Sequence, residues 1–273
     1  MQLSEFRKTT DTLRNEYRMP VMFIGHGSPM NGIAHNDFTR ALAGMAMDLP
    51  VKPAAVLVVS AHWLTHGTHV LSSPKPRIIY DFGGFPEELY HVQYSAPGAP
   101  LLAAETRKIA STSILEDDSW GLDHGAWTIL RHMFSKADIP VYELSIDYHK
   151  PPAYHYALAK ELSGMRDKGV LIIGSGNIVH NLRQINFNEN ARPYDWALEF
   201  DDKIKTALEQ RNMEKLLDYG SFGEVASLSI PTNEHYLPML YTLGLMDKDE
   251  PLTFTFAGIQ HASISMRCFR VGG

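Results

Sequence analysis

The sequence predicts an α/β protein: a single domain, residues 1–273, with a central, mostly parallel or mixed sheet covered by helices on both faces. Three observations predict it. Short runs rich in Val and Ile recur between longer amphipathic stretches, the pattern of strands alternating with helices. The first four runs are nearly continuously apolar, as strands covered on both faces are. No Pro/Gly/Ser linker, internal repeat or low-complexity tract divides the chain, and 273 residues at 44% hydrophobic composition suffice for one large core.

In chain order, "SEFRKTTDTLRNEY" (4–17) reads as a helix and "PVMFIG" (20–25) as the first strand. "NDFTRALAGMAM" (36–47) is a helix that opens on Asn, a good N-cap. "AAVLVVSA" (54–61) is the second strand. Helices at "APLLAAETRKIAS" (99–111) and "GAWTILRHMFSK" (125–136) precede the strand "IPVYELSI" (139–146). "PPAYHYALAKELSGMRDK" (151–168) is a helix entered through Pro. The strand "GVLIIGSG" (169–176) and the helix "PYDWALEFDDKIKTALEQ" (193–210) follow. "LTFTFAG" (252–258) and "SISMRCFRV" (263–271) alternate more, which predicts an antiparallel pair at a sheet edge. Two long segments, 74–100 and 221–238, stand outside this pattern; irregular stretches of that length usually form lids or site walls.

Composition excludes several classes of function. A net charge of -6 without a basic stripe argues against nucleic acid or an anionic membrane as partner. No run reaches the roughly 18 apolar residues of a membrane span, and the N-terminus lacks the apolar core of a signal peptide. With one cysteine, Cys268, an internal disulfide and thiolate-rich metal sites are impossible. The cytoplasm is the expected compartment, and any metal must be held by His, Asp or Glu. Nothing here predicts the oligomeric state.

Ligands of open α/β sheets bind beyond the carboxyl ends of the strands. His26 follows "VMFIG", His62 follows "VLVVSA", and His180 lies a few residues past "VLIIGSGN", so three distant histidines are placed at one sheet rim. His26 and His62, each beside a small residue, are read as sharing a metal. His124 in "GLDHGAW" and His235 in "PTNEHYLP" are placed to join them. "GHGSPM" is neither a nucleophile elbow nor a phosphate loop: Pro follows its Ser, and the third Gly and the Lys are missing. "HWLTH" has zinc-protease spacing, but Trp63 stands where the general-base Glu belongs. The other histidines have no arguable partner.

The ordered motifs "GHGSPM", "SAHW", "IIYDFGGFPEELY", "LDHGAW", "SGNIVHNL" and "EHYLPMLY" together resemble the class III extradiol ring-cleaving dioxygenases. The likeness is to the 4,5-DOPA branch, related to the large subunit of protocatechuate 4,5-dioxygenase, and runs from about Met19 to near the C-terminus. The resemblance implies one divalent metal on His26, His62 and the His235 region. It implies His180 as general base and acid, or as a further ligand, and His124 as a second histidine meeting substrate or oxygen. The protocatechuate type completes its triad with Glu, so Glu234 is the alternative to His235, or else a helix cap.

The expected reaction inserts O2 into a catechol such as L-DOPA by 4,5-cleavage and gives a ring-opened semialdehyde. Fe(II) is expected for catalysis, because zinc has no redox chemistry; Zn(II) is expected in isolated protein, because imidazole sites favour it. Tyr80, Asp81, Phe82 and Phe85 are candidates for a substrate wall, with core packing as their ordinary role. A zinc-dependent hydrolase and a non-catalytic metal-binding protein are the competing readings.

Overall fold

The structure, a computed structural model, describes residues 17–188 and 191–273. The helix expected at 4–17 lies outside them except for its last residue. Twelve strands are present among the described residues: β1 (Val21–Gly25), β2 (Ala55–Thr65), β3 (Thr68–Leu71), β4 (Arg77–Ile78), β5 (Ile114–Asp117), β6 (Gly121–Leu122), β7 (Val141–Asp147), β8 (Val170–Gly176), β9 (Leu252–Phe256), β10 (Ile259–Gln260), β11 (Ile264–Ser265) and β12 (Cys268–Val271). Eight form one mixed sheet in the order β5-β3-β7-β2-β8-β1-β12-β9.

The four apolar runs are its parallel centre, β7-β2-β8-β1, and their residues are buried almost throughout. β12 lies antiparallel to β1, and β9 closes that edge antiparallel to β12. The more polar β3 and β5, which the hydrophobic pattern did not predict, close the other edge.

Helices cover both faces, and adjacent residues of β8 show it, since neighbours in a strand point to opposite sides. The Ser175 hydroxyl donates to the Gly125 carbonyl in the His124–Met133 helix. On the other side Gly174 lies under the Leu237–Gly244 helix, where a Cβ would come within 2.3 Å of the Pro238 carbonyl. The glycines of "GSGN" therefore bring a helix close rather than cradle a phosphate.

Four boundaries differ from expectation, the first being the strand expected over 263–271, which splits into β11, paired with β10 in a separate two-stranded sheet, and β12 in the main sheet. The 151–168 helix breaks into Pro152–Glu161 and Gly164–Asp167 at Ser163-Gly164, two weak helix formers. The segment 221–238 contains a short helix, Glu224–Ser229. β2 does not end at Ala61. Its pairing with β7 breaks after Val59↔Leu144 and resumes at Leu64↔Ile146, so a bulge turns residues around His62 out of the regular ladder.

Candidate metal centre

His26 is the first residue past β1, and its N–H donates to the Gly176 carbonyl of the parallel neighbour. Gly27 then turns the chain at φ +66°, a conformation open to glycine, and a Cβ there would strike the Met266 sulfur. His62 sits in the β2 bulge. His235 precedes the Leu237–Gly244 helix, and its carbonyl accepts from the Asn177 N–H just past β8. Gly176 makes room for that carbonyl, since a Cβ would approach it to 2.1 Å.

These three imidazoles converge. Ring centroids lie 5.1 Å apart for His26 and His62, 5.0 Å for His62 and His235, and 5.4 Å for His26 and His235. Their ligand atoms all fall within 4.8 Å of one another.

Each ring has its Nδ1 occupied by a different partner. Ser175 Oγ already donates to Gly125, so His26 Nδ1–H must be the donor in their 2.9 Å contact. His235 Nδ1–H donates to Glu234 Oε1 at 3.1 Å. His62 Nδ1 faces Asp81 Oδ2 at 3.3 Å. All three Nε2 atoms therefore keep their lone pairs.

His26 Nε2 and His62 Nε2 stand 3.2 Å apart with their lone pairs facing, a juxtaposition that a cation between them would relieve. His235 Nε2 is buried without a hydrogen-bond partner, and a buried polar atom so placed calls for an explanation. Neutral imidazoles fixed by outer partners are what a divalent metal requires. Burial, and then the neighbouring histidines, push all three well below the usual histidine range, so they are neutral at pH 7. The residues present fit a metal ion.

Asp81 does more than line a wall. Its Oδ2 accepts from His124 Nδ1–H at 2.9 Å while facing His62, and its Oδ1 accepts from the His124 main-chain N–H at 2.9 Å. Burial alone would raise this carboxyl, but the hydrogen bonds from His124 and the favourable electrostatics of the two facing imidazoles outweigh it and hold it at about 2. One carboxylate thus braces two histidines and the N-terminus of the His124–Met133 helix, whose N-cap is Asp123.

His180 stacks on His235, with centroids 3.4 Å apart and planes 9° apart. Burial, then His124, lowers it to about 4. Glu234, the alternative ligand, has its Oε1 on Thr232 and His235, where it orients the imidazole.

Beside these groups lies a cavity of about 280 Å³ whose apolar wall includes Phe82, Phe85, Leu182, Ile185 and Ile264. Tyr80 is not in that wall. Its hydroxyl donates to the Val92 carbonyl and its ring packs on Trp127, so it supports the loop from behind. The remaining histidines do not join the cluster; His155, for example, is tied to Tyr241 and the Lys150 carbonyl.

Sequence reasoning missed Ser175, Asp123 and Glu143. Asp123 carried a signal as an N-cap residue before a helix, and Glu143 as a lone acid inside the apolar run "VYELSI". Ser175 carried none.

Among the described residues no helix is long and apolar enough to cross a membrane. The chain is 43% identical over 270 residues, 96% of its length and 98% of the relative's, to an Escherichia coli (strain K12) protein called 4,5-DOPA dioxygenase extradiol. A Beta vulgaris protein of the same name is 37% identical, over 81% of this chain and 85% of its own. The crystal structure of an uncharacterized Escherichia coli K12 protein superposes with a TM-score of 0.81 at 40% identity, covering 93% of this chain and all of that one. A family model described as the catalytic LigB subunit of aromatic ring-opening dioxygenase matches residues 20–267, and the chain belongs to that family.

Proposed function

We propose that this chain is an extradiol dioxygenase that uses O2 to open the ring of a catechol of the L-DOPA class by 4,5-cleavage, giving a ring-opened semialdehyde. The observation that carries the reading is the convergence of three neutral, outward-braced imidazoles beside a cavity that also presents His124 and His180. The names of the Escherichia coli and Beta vulgaris relatives support the substrate class.

His26, His62 and His235 hold the metal, with Glu234 in a supporting role. When bound, Fe(II) supplies positive charge that acidifies the catechol and the redox chemistry that O2 requires; Zn(II) binds the same site without that chemistry. A catechol hydroxyl resembles a phenol, which ionises near pH 10, so a base must help remove its proton at neutral pH. His180, neutral at pH 7, takes that proton and then returns it to an O2-derived oxygen as the O–O bond breaks and the ring opens. His124, with Nδ1 tied to Asp81, offers Nε2 as a second proton carrier. Phe82 and Phe85 confine the ring and exclude water. The activity is placed in the cytoplasm, in keeping with a single, buried cysteine.

The test is to load the metal-free protein anaerobically with Fe(II) or Zn(II), add L-DOPA or simpler catechols, and admit air. Oxygen uptake and new visible absorbance are expected with Fe(II) alone. No uptake by the iron form with any catechol overturns the reading. Turnover by the zinc form without oxygen would make the protein a hydrolase.

A further inference from the structure

Behind the metal centre, two carboxyl groups are buried against each other. Glu143 on β7 and the N-cap Asp123 are both fully buried. The Asp123 main-chain N–H donates to Glu143 Oε1 at 3.1 Å. Asp123 Oδ1 accepts from Ser60 Oγ at 2.7 Å and from the Ala126 N–H at 3.2 Å. Asp123 Oδ2 and Glu143 Oε2 are left buried with no donor.

An ionised carboxylate only accepts hydrogen bonds. Two such groups in contact, far from water, would each face an unpaired oxygen and a like charge. A single proton between them removes both penalties.

We propose that Glu143 is protonated at neutral pH and donates to Asp123 Oδ2, and that this pair positions the segments bearing His62 and His124. Asp123 is the partner that stays ionised, because its Oδ1 already accepts two hydrogen bonds and it sits at a helix N-terminus, which favours negative charge. Burial, and then the Asp123 charge, drive Glu143 well above the usual carboxyl range. Asp123 is raised to about 6, by burial and then by the Asp81 carboxylate.

The pair reaches the site along two paths. His124 is the next residue after Asp123. Ser60, held by Asp123, accepts from the His62 main-chain N–H at 3.3 Å and so anchors the β2 bulge. Glu143 is therefore a positioning residue. Its effect on turnover rests on the dioxygenase reading, whereas its protonation does not.

The experiment compares wild type, E143Q and E143L by infrared spectroscopy, zinc affinity and catechol turnover. Wild type at pH 7 should show the carbonyl stretch of a protonated carboxyl, and both variants should lose it. Gln keeps the same donor and acceptor, so E143Q should rescue turnover and zinc affinity to within about twofold. E143L strands a buried carboxylate oxygen and the Asp123 N–H, and kcat should fall about 10- to 100-fold with KM little changed. A missing band in wild type, a band that persists in E143Q, or an E143Q as impaired as E143L would overturn the proposal. If wild type turns over no catechol, the proposed function falls, and the band and zinc affinity still decide the pair.

Discussion

Replacing Asp81 by Asn tests whether the metal centre depends on its outer partners. Asn keeps the shape of the side chain but exchanges one acceptor oxygen for a donating amide. In the present arrangement Oδ1 serves the His124 N–H, while Oδ2 meets His124 Nδ1 and faces His62 Nδ1. If the Asn oxygen keeps the main-chain contact, its NH2 group points at both imidazoles. Each Nδ1 must then become an acceptor, which moves the proton to Nε2. His62 would lose the lone pair that faces His26 Nε2 at 3.2 Å.

Loss of such an outer partner typically weakens metal binding about 10- to 100-fold, or roughly 1.4 to 2.7 kcal/mol. Ser175→Ala removes the neutral hydrogen bond that Ser175 Oγ accepts from His26 Nδ1–H, along with its bond to the Gly125 carbonyl, which does not touch a ligand, and should cost zinc affinity about 1 kcal/mol. Competition for Zn(II) against a chromophoric chelator at pH 7 measures both. Asp81→Asn should be the weaker binder. A change of less than about twofold, or a larger loss in Ser175→Ala, would refute the argument that the carboxylate sets the nitrogen that binds.

Zinc loading at pH 6 should release almost no protons from the histidines, because burial already keeps all three neutral; three ordinary histidines would release about two, and a pH indicator in weak buffer separates the cases. Since His180 is lowered to about 4, its basic form persists above that pH and is lost as pH falls through it. The acid limb of kcat/KM should therefore lie near pH 4, and a limb near 6.5 would contradict the burial of this group. Gly176→Ala would push a Cβ to 2.1 Å from the His235 carbonyl; a loss of about 1–3 kcal/mol is expected, and calorimetry should show Tm lowered with zinc affinity reduced.

The parallel centre of the sheet was legible because β1, β2, β7 and β8 must be apolar on both faces. β3 and β5 were not, since "THVL" and "ILED" at an edge carry no such pattern. The histidines at strand ends were legible for the same topological reason, even though His62 reaches the site through a bulge rather than a strand end. Their outer partners were not. Ser175, Asp81 and Glu234 come from a strand and two loops, and only the folded chain brings each to an Nδ1. Asp81 sits among aromatics that suggested a wall, and two of them, Phe82 and Phe85, do line the cavity while Tyr80 turns away from it.

The choice between a closed metal-binding module and an open catalytic site turns on His180. A metal lies near the plane of each imidazole it binds, about 2 Å from the nitrogen. The rings of His180 and His235 are 3.4 Å apart and tilted by 9°. Rings stacked in this way carry their lone pairs in nearly parallel planes, so with the metal held by His235, His180 would be left available to move a proton. His180→Ala should keep its zinc affinity within about threefold of wild type, whereas loss of a true ligand weakens binding by more than the 10- to 100-fold seen for outer partners. Iron-dependent oxygen uptake with catechols should fall about 100-fold or more, the contribution expected of a positioned acid–base group. If His180→Ala instead loses the metal, the stacked arrangement does not survive metal binding, and the site closes with His180 as a fourth ligand.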